Sequence, residues 1–386
     1  MKKIHCLNPI AACGTDLFPA DYEITDNKAE ADAFLVRSAS MHEMELPEGL
    51  LAVGRAGAGV NNIPLDECAK AGVVVFNTPG ANANGVKELV LAGMFLASRD
   101  IVGGIKWCQD NAEDENIAKT TEKSKKAFAG WELKGKKLGV IGLGAIGAEV
   151  ANAATHLGMD VYGYDPYLSV DAAWSLSRDI KHATSLDDIF AKSDYITVHV
   201  PLTEETRGLV SKASIAKMKD GVRIVNFARG DLVNSKDILE ALQNGKVAAY
   251  ATDFPSDELI GESGVIAIPH LGASTPESED NCAAMAADEL KDYLEEGVIR
   301  NSVNLPNVVL PRSADTRICL IHKNVPSMLN QITATLTEKN VNIDNMINKS
   351  KKAFAYTVID TNDAIGDDTL AALSAIEGIV RVRVIR

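Results

Sequence analysis

Short apolar runs alternate with polar stretches along the first third of the chain. KIHCLN (3–8), AFLVRS (33–38), LLAVGRAG (50–57) and GVVVFNT (72–78) are separated by helix-like or loop-like segments. That pattern predicts parallel strands joined by crossovers. Residues 86–97 form a long apolar stretch and predict a buried helix, whereas QDNAEDENIAKTTEKSKK (109–126) is polar and predicts a solvated helix or loop. Strands return from Leu133 onward: LGVIG, VYGYD, DYITVHV, VRIVNF, VAAYATDF and GVIAIPH. An amphipathic helix is expected over 276–297. Two α/β halves of similar make-up follow, with the chain crossing between them twice.

The character changes at NSVNLPNVVLPRSA (301–314), where prolines, asparagines and the lack of a helical period mark a linker. Beyond it the order is strand (317–322), helix (327–339), strand (342–350), strand (352–360), helix (367–376) and strand (380–385). This is a ferredoxin-like βαββαβ pattern. The expected architecture is therefore α/β, with two Rossmann-like or flavodoxin-like parallel-sheet domains and a small C-terminal module. The expected boundaries are 1–95 with 278–300 for a substrate-binding domain, 96–277 for a nucleotide-binding domain, 301–314 for the linker and 315–386 for the module.

Within the second half, LGVIGLGAIG (138–147) runs from an apolar strand into a glycine loop, then a helix, then VYGYD (161–165). Gly142 suits the tight turn, Gly144 leaves room for a pyrophosphate at the backbone, and Gly147 lets helix and strand pack closely. The free N–H groups at the helix start face the phosphates. Asp165, eighteen residues after Gly147, is placed to accept hydrogen bonds from an adenosine ribose and would repel a 2′-phosphate. The expected cofactor is NAD rather than NADP.

Three further residues sit behind successive predicted strands: Arg229 in NFARGDL, Glu258 in TDFPSDEL and His270 in IPHLGAST. Ligands in open α/β sheets bind at those strand ends. Oxidation of a 2-hydroxy acid needs what these side chains offer. A histidine takes the hydroxyl proton near neutral pH, a carboxylate fixes its tautomer, and an arginine fork binds the substrate carboxylate.

Composition narrows the classes. At 386 residues, 46% hydrophobic and 24% charged, the chain reads as a globule of two or three domains with a sizeable core. Its net charge of −14 argues against nucleic acid or an anionic membrane as partner. The six cysteines are scattered without metal-ligand spacing, so no metal is expected and the thiols read as reduced, in a cytoplasmic setting. No signal segment or membrane span is recognised.

GLGAIG with Asp165, then NFARG, TDFPSDE and PHLGAST, together resemble the D-isomer-specific 2-hydroxyacid dehydrogenases over roughly residues 1–300. RSAS (37–40), GRAGAGVNN (54–62), NTPGANA (77–83) and PHLGAST look most like the members that convert 3-phospho-D-glycerate to 3-phosphooxypyruvate, the entry to L-serine synthesis. The resemblance implies that His270 is the acid/base, Glu258 its partner and Arg229 the carboxylate binder. It implies that Gly57, Ala58 and Gly59 line the substrate carboxylate, with Ser38 and Arg55 on the substrate side and Arg55 near the phosphate. Ala145, Ile146, Phe227, Ala228 and Asp253, with Thr78, Gly272 and Ala273, are the implied neighbours of NAD. Asn61 stands where the family usually has Asp, and the Glu258–His270 gap of twelve residues is shorter than in many relatives. His199 is read as structural. His5, His42, His156 and His182 receive no role.

HKNVPSML (322–329) and KNVNI (339–343) resemble the ACT domain, a small-molecule sensor module. By that resemblance His322, Asn324 and Asn342 hold an L-serine effector. Ser327 stands where the family commonly has Gly. A homodimer or homotetramer is expected, dimerised through the nucleotide domain and the 86–130 segment. The rival readings are a sister dehydrogenase acting on glyoxylate, D-lactate or another 2-hydroxy acid, and a non-enzymatic NAD(H)-sensing regulator.

Overall fold

The computed structural model describes residues 1–386, apart from the side chain of Asp171. It divides into two compact units, residues 1–82 with 279–386, and residues 83–278.

The first unit opens with five strands: β1 (Lys2–Cys6), β2 (Tyr22–Ile24), β3 (Ala33–Val36), β4 (Ala52–Arg55) and β5 (Val74–Asn77). All pair in parallel, in the order β2-β1-β3-β4-β5, the flavodoxin-like arrangement. The runs are apolar at successive positions because both sheet faces are covered. Ala33–Val36 is buried at every residue. Phe34, Val36, Val53 and Val75 fill one face with Met41 and Leu50. Leu35, Val74 and Phe76 fill the other, against Leu290 and Tyr293 of the long helix Pro276–Glu296.

The same unit carries the C-terminal module. Its strands are β13 (Thr316–Lys323), β14 (Asn345–Lys351), β15 (Phe354–Thr361) and β16 (Ile379–Ile385), antiparallel in the order β14-β15-β13-β16. Helices Met328–Glu338 and Asp367–Ser374 complete the βαββαβ pattern. Ile318 and Leu320 face these helices with Ile332 and Leu336. Cys319 and Ile321 point the other way and join Tyr356, Val358, Leu290 and Tyr293 in the core of the five-stranded sheet. Polar contacts fix the same seam. The Tyr356 hydroxyl donates to the Gly297 carbonyl at 2.8 Å, and the Arg383 guanidinium donates to the Leu294 carbonyl at 3.0 Å. Gly297 has φ +65°, and a Cβ there would lie 2.5 Å from the Cys319 sulfur.

Residues 301–314, expected as a linker, are pinned along this unit. The Asn304 side chain accepts from Val75 N–H and donates to the Val73 carbonyl, both at 2.9 Å, so it continues the ladder of β5.

The second unit holds β6 (Lys137–Ile141), β7 (Asp160–Tyr164), β8 (Lys181–His182), β9 (Tyr195–Val198), β10 (Val222–Asn226), β11 (Val247–Thr252) and β12 (Val265–Ala267). They pair in parallel in the order β12-β11-β10-β9-β6-β7-β8. This is the doubly wound Rossmann order, with its switch point between β6 and β9. Helices Ala83–Ser98 and Ala145–His156 pack Val90, Met94, Val150 and Ala154 onto Val140, Val161 and Val225. The polar stretch 109–126 contains a solvated helix, Ile117–Ser124.

Candidate active site

In the second unit the strand-to-helix turn after β6 is built on three glycines with separate reasons. Gly142 has φ +91°, and a Cβ there would meet the His199 carbonyl at 2.6 Å. A Cβ at Gly147 would lie 1.9 Å from the Gly142 carbonyl, so the helix can approach the turn only as glycine. Gly144 differs: an added Cβ would meet nothing within 4 Å. It caps Ala145–His156 without a side-chain bond, so the first N–H groups of this twelve-residue helix, beyond Ala145 and Ile146, open on free space. Asp165, at the end of β7, is held beside that turn. Its Oδ2 accepts from Leu143 N–H at 2.9 Å and its Oδ1 from Tyr167 N–H at 2.8 Å. The remaining lone pairs of this half-buried carboxylate are available to ribose hydroxyls.

The candidate catalytic groups follow β10, β11 and β12, three neighbouring strands. Arg229 is exposed, and its Nη1 donates to the Ala228 carbonyl at 2.6 Å. Behind it Asn226 accepts from Ala228 N–H at 3.2 Å and Arg229 N–H at 3.4 Å. Phe227 packs on Gly93, where a Cβ would come within 2.9 Å of its ring. Past β11, Asp253 is fully buried. Its Oδ2 accepts from Gly272 N–H at 3.3 Å, while its Oδ1 has no hydrogen-bond partner. Burial raises the Asp253 carboxyl, and His270 nearby draws it back. A buried orphan acceptor at this place suits the amide N–H of a nicotinamide. With the open space at Gly144, it makes the residues present fit a dinucleotide.

Phe254 links the set. Its ring lies 4.8 Å from the His270 ring at 54°, and its Cβ is 3.3 Å from where a Cβ on Gly230 would stand. His270 and Glu258 are both exposed, and among the described residues no hydrogen bond joins them. The neighbours of the imidazole are instead the Phe254 ring and the Asp253 carboxylate. Gly272 and Ala273 continue the turn that supplies the Asp253 contact.

The substrate-side candidates lie in the first unit. Gly57 has φ +140°, and a Cβ there would overlap the Arg55 guanidinium at 1.5 Å, so Arg55 lies directly across the glycine. The Gly57 carbonyl accepts from Thr78 N–H at 3.2 Å and the Ala58 carbonyl from the Asn77 amide at 2.7 Å. Both carbonyls are thus turned into the fold, a geometry that leaves the N–H groups of Gly57, Ala58 and Gly59 for an anion. Ser38 is exposed on the adjacent strand end, and the Thr78 hydroxyl is buried without a partner.

Two residues here escaped the sequence reading. Arg37 pairs with Glu279 at 2.5 Å. Burial raises the Cys282 thiol, and the positive charges of Arg55 and Arg37 draw it back. The signal was its position in RSAS, next to Ser38. Asn82, in NTPGANA, keeps a buried Oδ1 without a partner.

In the C-terminal module, His322 is buried, with Nε2 at 2.8 Å from the Thr357 hydroxyl and Nδ1 at 2.8 Å from the Lys323 carbonyl. Asn324 donates to the Lys352 carbonyl at 3.3 Å, beside His322. Asn342 lies at the other end of the sheet, bonded to Asp344 at 3.1 Å, where β14 starts opposite Asp360. One chain brings His322 and Asn324 together but not Asn342.

His199 stands under the glycine turn, wholly buried, with Nε2 at 2.9 Å from the Thr197 hydroxyl; burial lowers it to about 4. Among the described residues there is no cluster of three or more His, Cys, Asp or Glu able to hold a metal, and all six cysteines are free. None of their helices is long and apolar enough to cross a membrane.

Residues 91–272 match the family described as D-isomer specific 2-hydroxyacid dehydrogenase, NAD binding domain. The D-3-phosphoglycerate dehydrogenase of Haemophilus influenzae is 34% identical over 356 residues, 89% of this chain and 83% of that one. That of Bacillus subtilis is 40% identical over 285 residues, 71% of this chain and 52% of its own length. The chain spans about half the length of the Bacillus subtilis relative and of that from Methanocaldococcus jannaschii, where the share is 54%. Among solved structures, the NAD+-bound 3-phosphoglycerate dehydrogenase of Entamoeba histolytica aligns with a TM-score of 0.61 at 26% identity, over 78% of this chain and 98% of that one. A D-lactate dehydrogenase from Treponema pallidum aligns with a TM-score of 0.63 at 22% identity, over 78% of this chain and 99% of that one, a likeness of fold.

Proposed function

The chain belongs to the D-isomer-specific 2-hydroxyacid dehydrogenase family, and we propose that it oxidises 3-phospho-D-glycerate to 3-phosphooxypyruvate with NAD. The observation that carries this reading is the Phe254 ring, packed against both Gly230 of the Arg229 turn and His270. That ring supports a reading in which the turn carrying Arg229 and the His270 imidazole act together on the sheet that bears the nucleotide turn.

Gly142, Gly144, Ala145, Ile146 and Gly147 would hold the pyrophosphate, Asp165 the ribose and Asp253 the carboxamide, with Phe227, Ala228, Gly272 and Ala273 around them; Thr78, in the first unit, is a further candidate. Bound there, the dinucleotide would supply the hydride acceptor for oxidation at C2 of the substrate. Arg229 is the candidate to pair with the substrate carboxylate through its planar fork, and in the first unit the N–H groups of Gly57–Gly59 are candidate donors to an anionic group. A ring nitrogen of His270 takes the C2 hydroxyl proton, a contribution of about 10²–10⁴-fold for a positioned base. Glu258 is the candidate carboxylate partner of that imidazole. Arg55 and Arg37, with Ser38, supply the positive and donor groups for the phosphate, in a chain whose net charge is −14.

The C-terminal module is an ACT domain that binds L-serine between two copies, His322 and Asn324 from one and Asn342 from the other. The enzyme is a cytoplasmic homodimer or homotetramer. Its pairing surface includes the exposed Ile101, Val102 and Ile105 of the second unit. The deciding assay is NADH oxidation with phosphooxypyruvate beside pyruvate, glyoxylate and 2-oxoglutarate, with and without L-serine. Preference for the phosphorylated acid supports the proposal. Turnover of the others alone moves the activity to a sister dehydrogenase.

A further inference from the structure

Asn226, the last residue of β10, is fully buried and spends its side chain on the turn that carries Arg229. Its Nδ2 donates to the Arg229 carbonyl at 2.9 Å, and its Oδ1 accepts from the N–H groups of Ala228 and Arg229. The same Nδ2 lies 3.3 Å from the hydroxyl of Tyr250, itself buried on β11 next to Ile224 of β10. We propose that Asn226, braced by the Tyr250 phenol, is a positioning residue that fixes the backbone from which Arg229 reaches the substrate carboxylate. The proposal rests on the reading of Arg229 given above.

The chemistry singles out an amide. Both backbone groups of Arg229 are engaged, one as donor and one as acceptor, and only a side chain with both functions on one planar group can answer them. Aspartate would lose both donors and bury a charge, and leucine would fill the space and leave the N–H groups of Ala228 and Arg229 without partners, the Arg229 carbonyl keeping only its bond from Leu232 N–H at 3.2 Å. Arg229 itself gains little from its surroundings. It is exposed, adopts an extended backbone with φ −152°, and bonds within the protein to the neighbouring Ala228 carbonyl. The aim of its long side chain therefore depends on where its Cα is held. A bidentate fork tolerates little error, since a displacement of about 1 Å at a positioning group costs about a hundredfold.

The test is steady-state kinetics on the full-length enzyme for Tyr250→Phe, Asn226→Ala, Arg229→Lys and the double variant Asn226→Ala/Arg229→Lys. NADH affinity is measured separately by fluorescence titration. Tyr250→Phe is expected to raise KM for the keto acid about 3–10-fold, the effect of losing one buried hydrogen bond, with kcat changed less and NADH affinity unmoved. Asn226→Ala is expected to raise KM about 10–100-fold. Because it acts through Arg229, it should add little to Arg229→Lys. Losses that multiply in the double variant overturn the proposal, as does an equal weakening of NADH binding. If Asn226→Ala does not fold, Tyr250→Phe decides alone: an unchanged KM overturns the proposal. If instead Arg229→Lys leaves KM unchanged, the assignment of Arg229 has failed, and the two failures stay distinct.

Discussion

Arg317 and Asp360 meet in a two-pronged ion pair sealed from solvent, Nε to Oδ1 at 2.7 Å and Nη2 to Oδ2 at 2.9 Å. Arg317 Nη1 also donates to the Glu296 carbonyl at 2.8 Å, and Ser313 donates to the same carboxylate through N–H and hydroxyl at 3.0 Å each. Burial pushes the Asp360 carboxyl up, but Arg317 and Ser313 more than offset it and hold it below its ordinary value. The pair thus ties the module's sheet, the end of helix Pro276–Glu296 and the entering chain to one point.

Breaking that pair from one side strands a buried charge. Asp360→Asn should cost about 3–5 kcal/mol in urea unfolding of the first unit. Replacing both partners with apolar residues, as in Arg317→Met/Asp360→Leu, should cost less than Asp360→Asn alone. A double variant that is the less stable of the two would mean that the pair itself, and not the stranded arginine, supplies the stability.

A second buried acid works against the fold. Glu289, on helix Pro276–Glu296, accepts from the Asn301 amide at 2.7 Å through Oε1, while Oε2 is buried without a partner. Burial pushes its carboxyl up to about 8, and Asp292 and Asp288 add to the rise. The folded state therefore keeps a proton that the unfolded chain releases near 4.5. Stability tied to that proton is complete at low pH and drains away as pH rises from about 4.5 through 8. Glu289→Gln keeps the Asn301 bond and removes the ionisation. Its gain, on the order of 1–3 kcal/mol, should be absent at pH 4.5, grow to pH 8 and level off above it. Thermal unfolding at pH 5, 7 and 8.5 measures this. A gain independent of pH would show that Glu289 does not titrate in that window.

The nucleotide turn and all three sheets were legible because their signals are local. Gly142, Gly144 and Gly147 have fixed spacing, and the buried strands are continuous apolar runs. The βαββαβ order of the module was legible for the same reason. Its attachment was less so, although RICLIH (317–322) is apolar on both alternating faces, the mark of a sheet covered on two sides. Cys319 and Ile321 needed a second partner, and the five-stranded sheet supplied it. The surroundings of His270 were not legible at all. Which of Asp253, Phe254 and Glu258 reaches the imidazole depends on how the chain turns after β11, and no periodicity records that. Arg37 was missed because a charged residue at a strand end carries no pattern beyond its motif.

Ser327 begins helix Met328–Glu338 in the left-handed region, with φ +64° and ψ +4°. A side chain there costs about 1 kcal/mol relative to glycine. Ser327→Gly should relieve that strain against a small increase in unfolded-chain entropy, raising stability by up to about 1 kcal/mol. If the module takes L-serine as proposed, the variant should bind it as tightly or more so, as read by calorimetry. A destabilised Ser327→Gly would mean that the serine hydroxyl contributes contacts that outweigh its backbone.

Phe254 packs its ring against the imidazole at a tilt of 54°, so shortening it should loosen His270 while leaving the glycine turn intact. Phe254→Leu is expected to lower kcat/KM about tenfold, the order of an aromatic contact of about 0.5–1.5 kcal/mol, with NADH affinity unchanged. Equal loss in NADH affinity would assign Phe254 to the cofactor instead.

The glycine turn offers the sharpest contrast, because two of its glycines exist for opposite reasons. At Gly147 the obstacle is the protein: a methyl group would stand 1.9 Å from the Gly142 carbonyl, and neither backbone can yield without opening the turn. At Gly144 the protein leaves more than 4 Å clear, so a methyl group meets no obstacle and slightly lowers the entropy of the unfolded chain. The space that Gly144 leaves open is the space a pyrophosphate needs. Gly147→Ala should therefore destabilise the second unit, by several kcal/mol if the turn cannot relax, and lower its unfolding midpoint. Gly144→Ala should unfold like the parent chain but bind NADH at least about tenfold more weakly, since a phosphate can no longer reach the helix N–H groups. Differential scanning calorimetry with and without NADH separates the two. The apo midpoint moves only in Gly147→Ala, and the ligand-induced rise shrinks in Gly144→Ala. If Gly144→Ala binds NADH like the parent, the pyrophosphate does not pass over this turn.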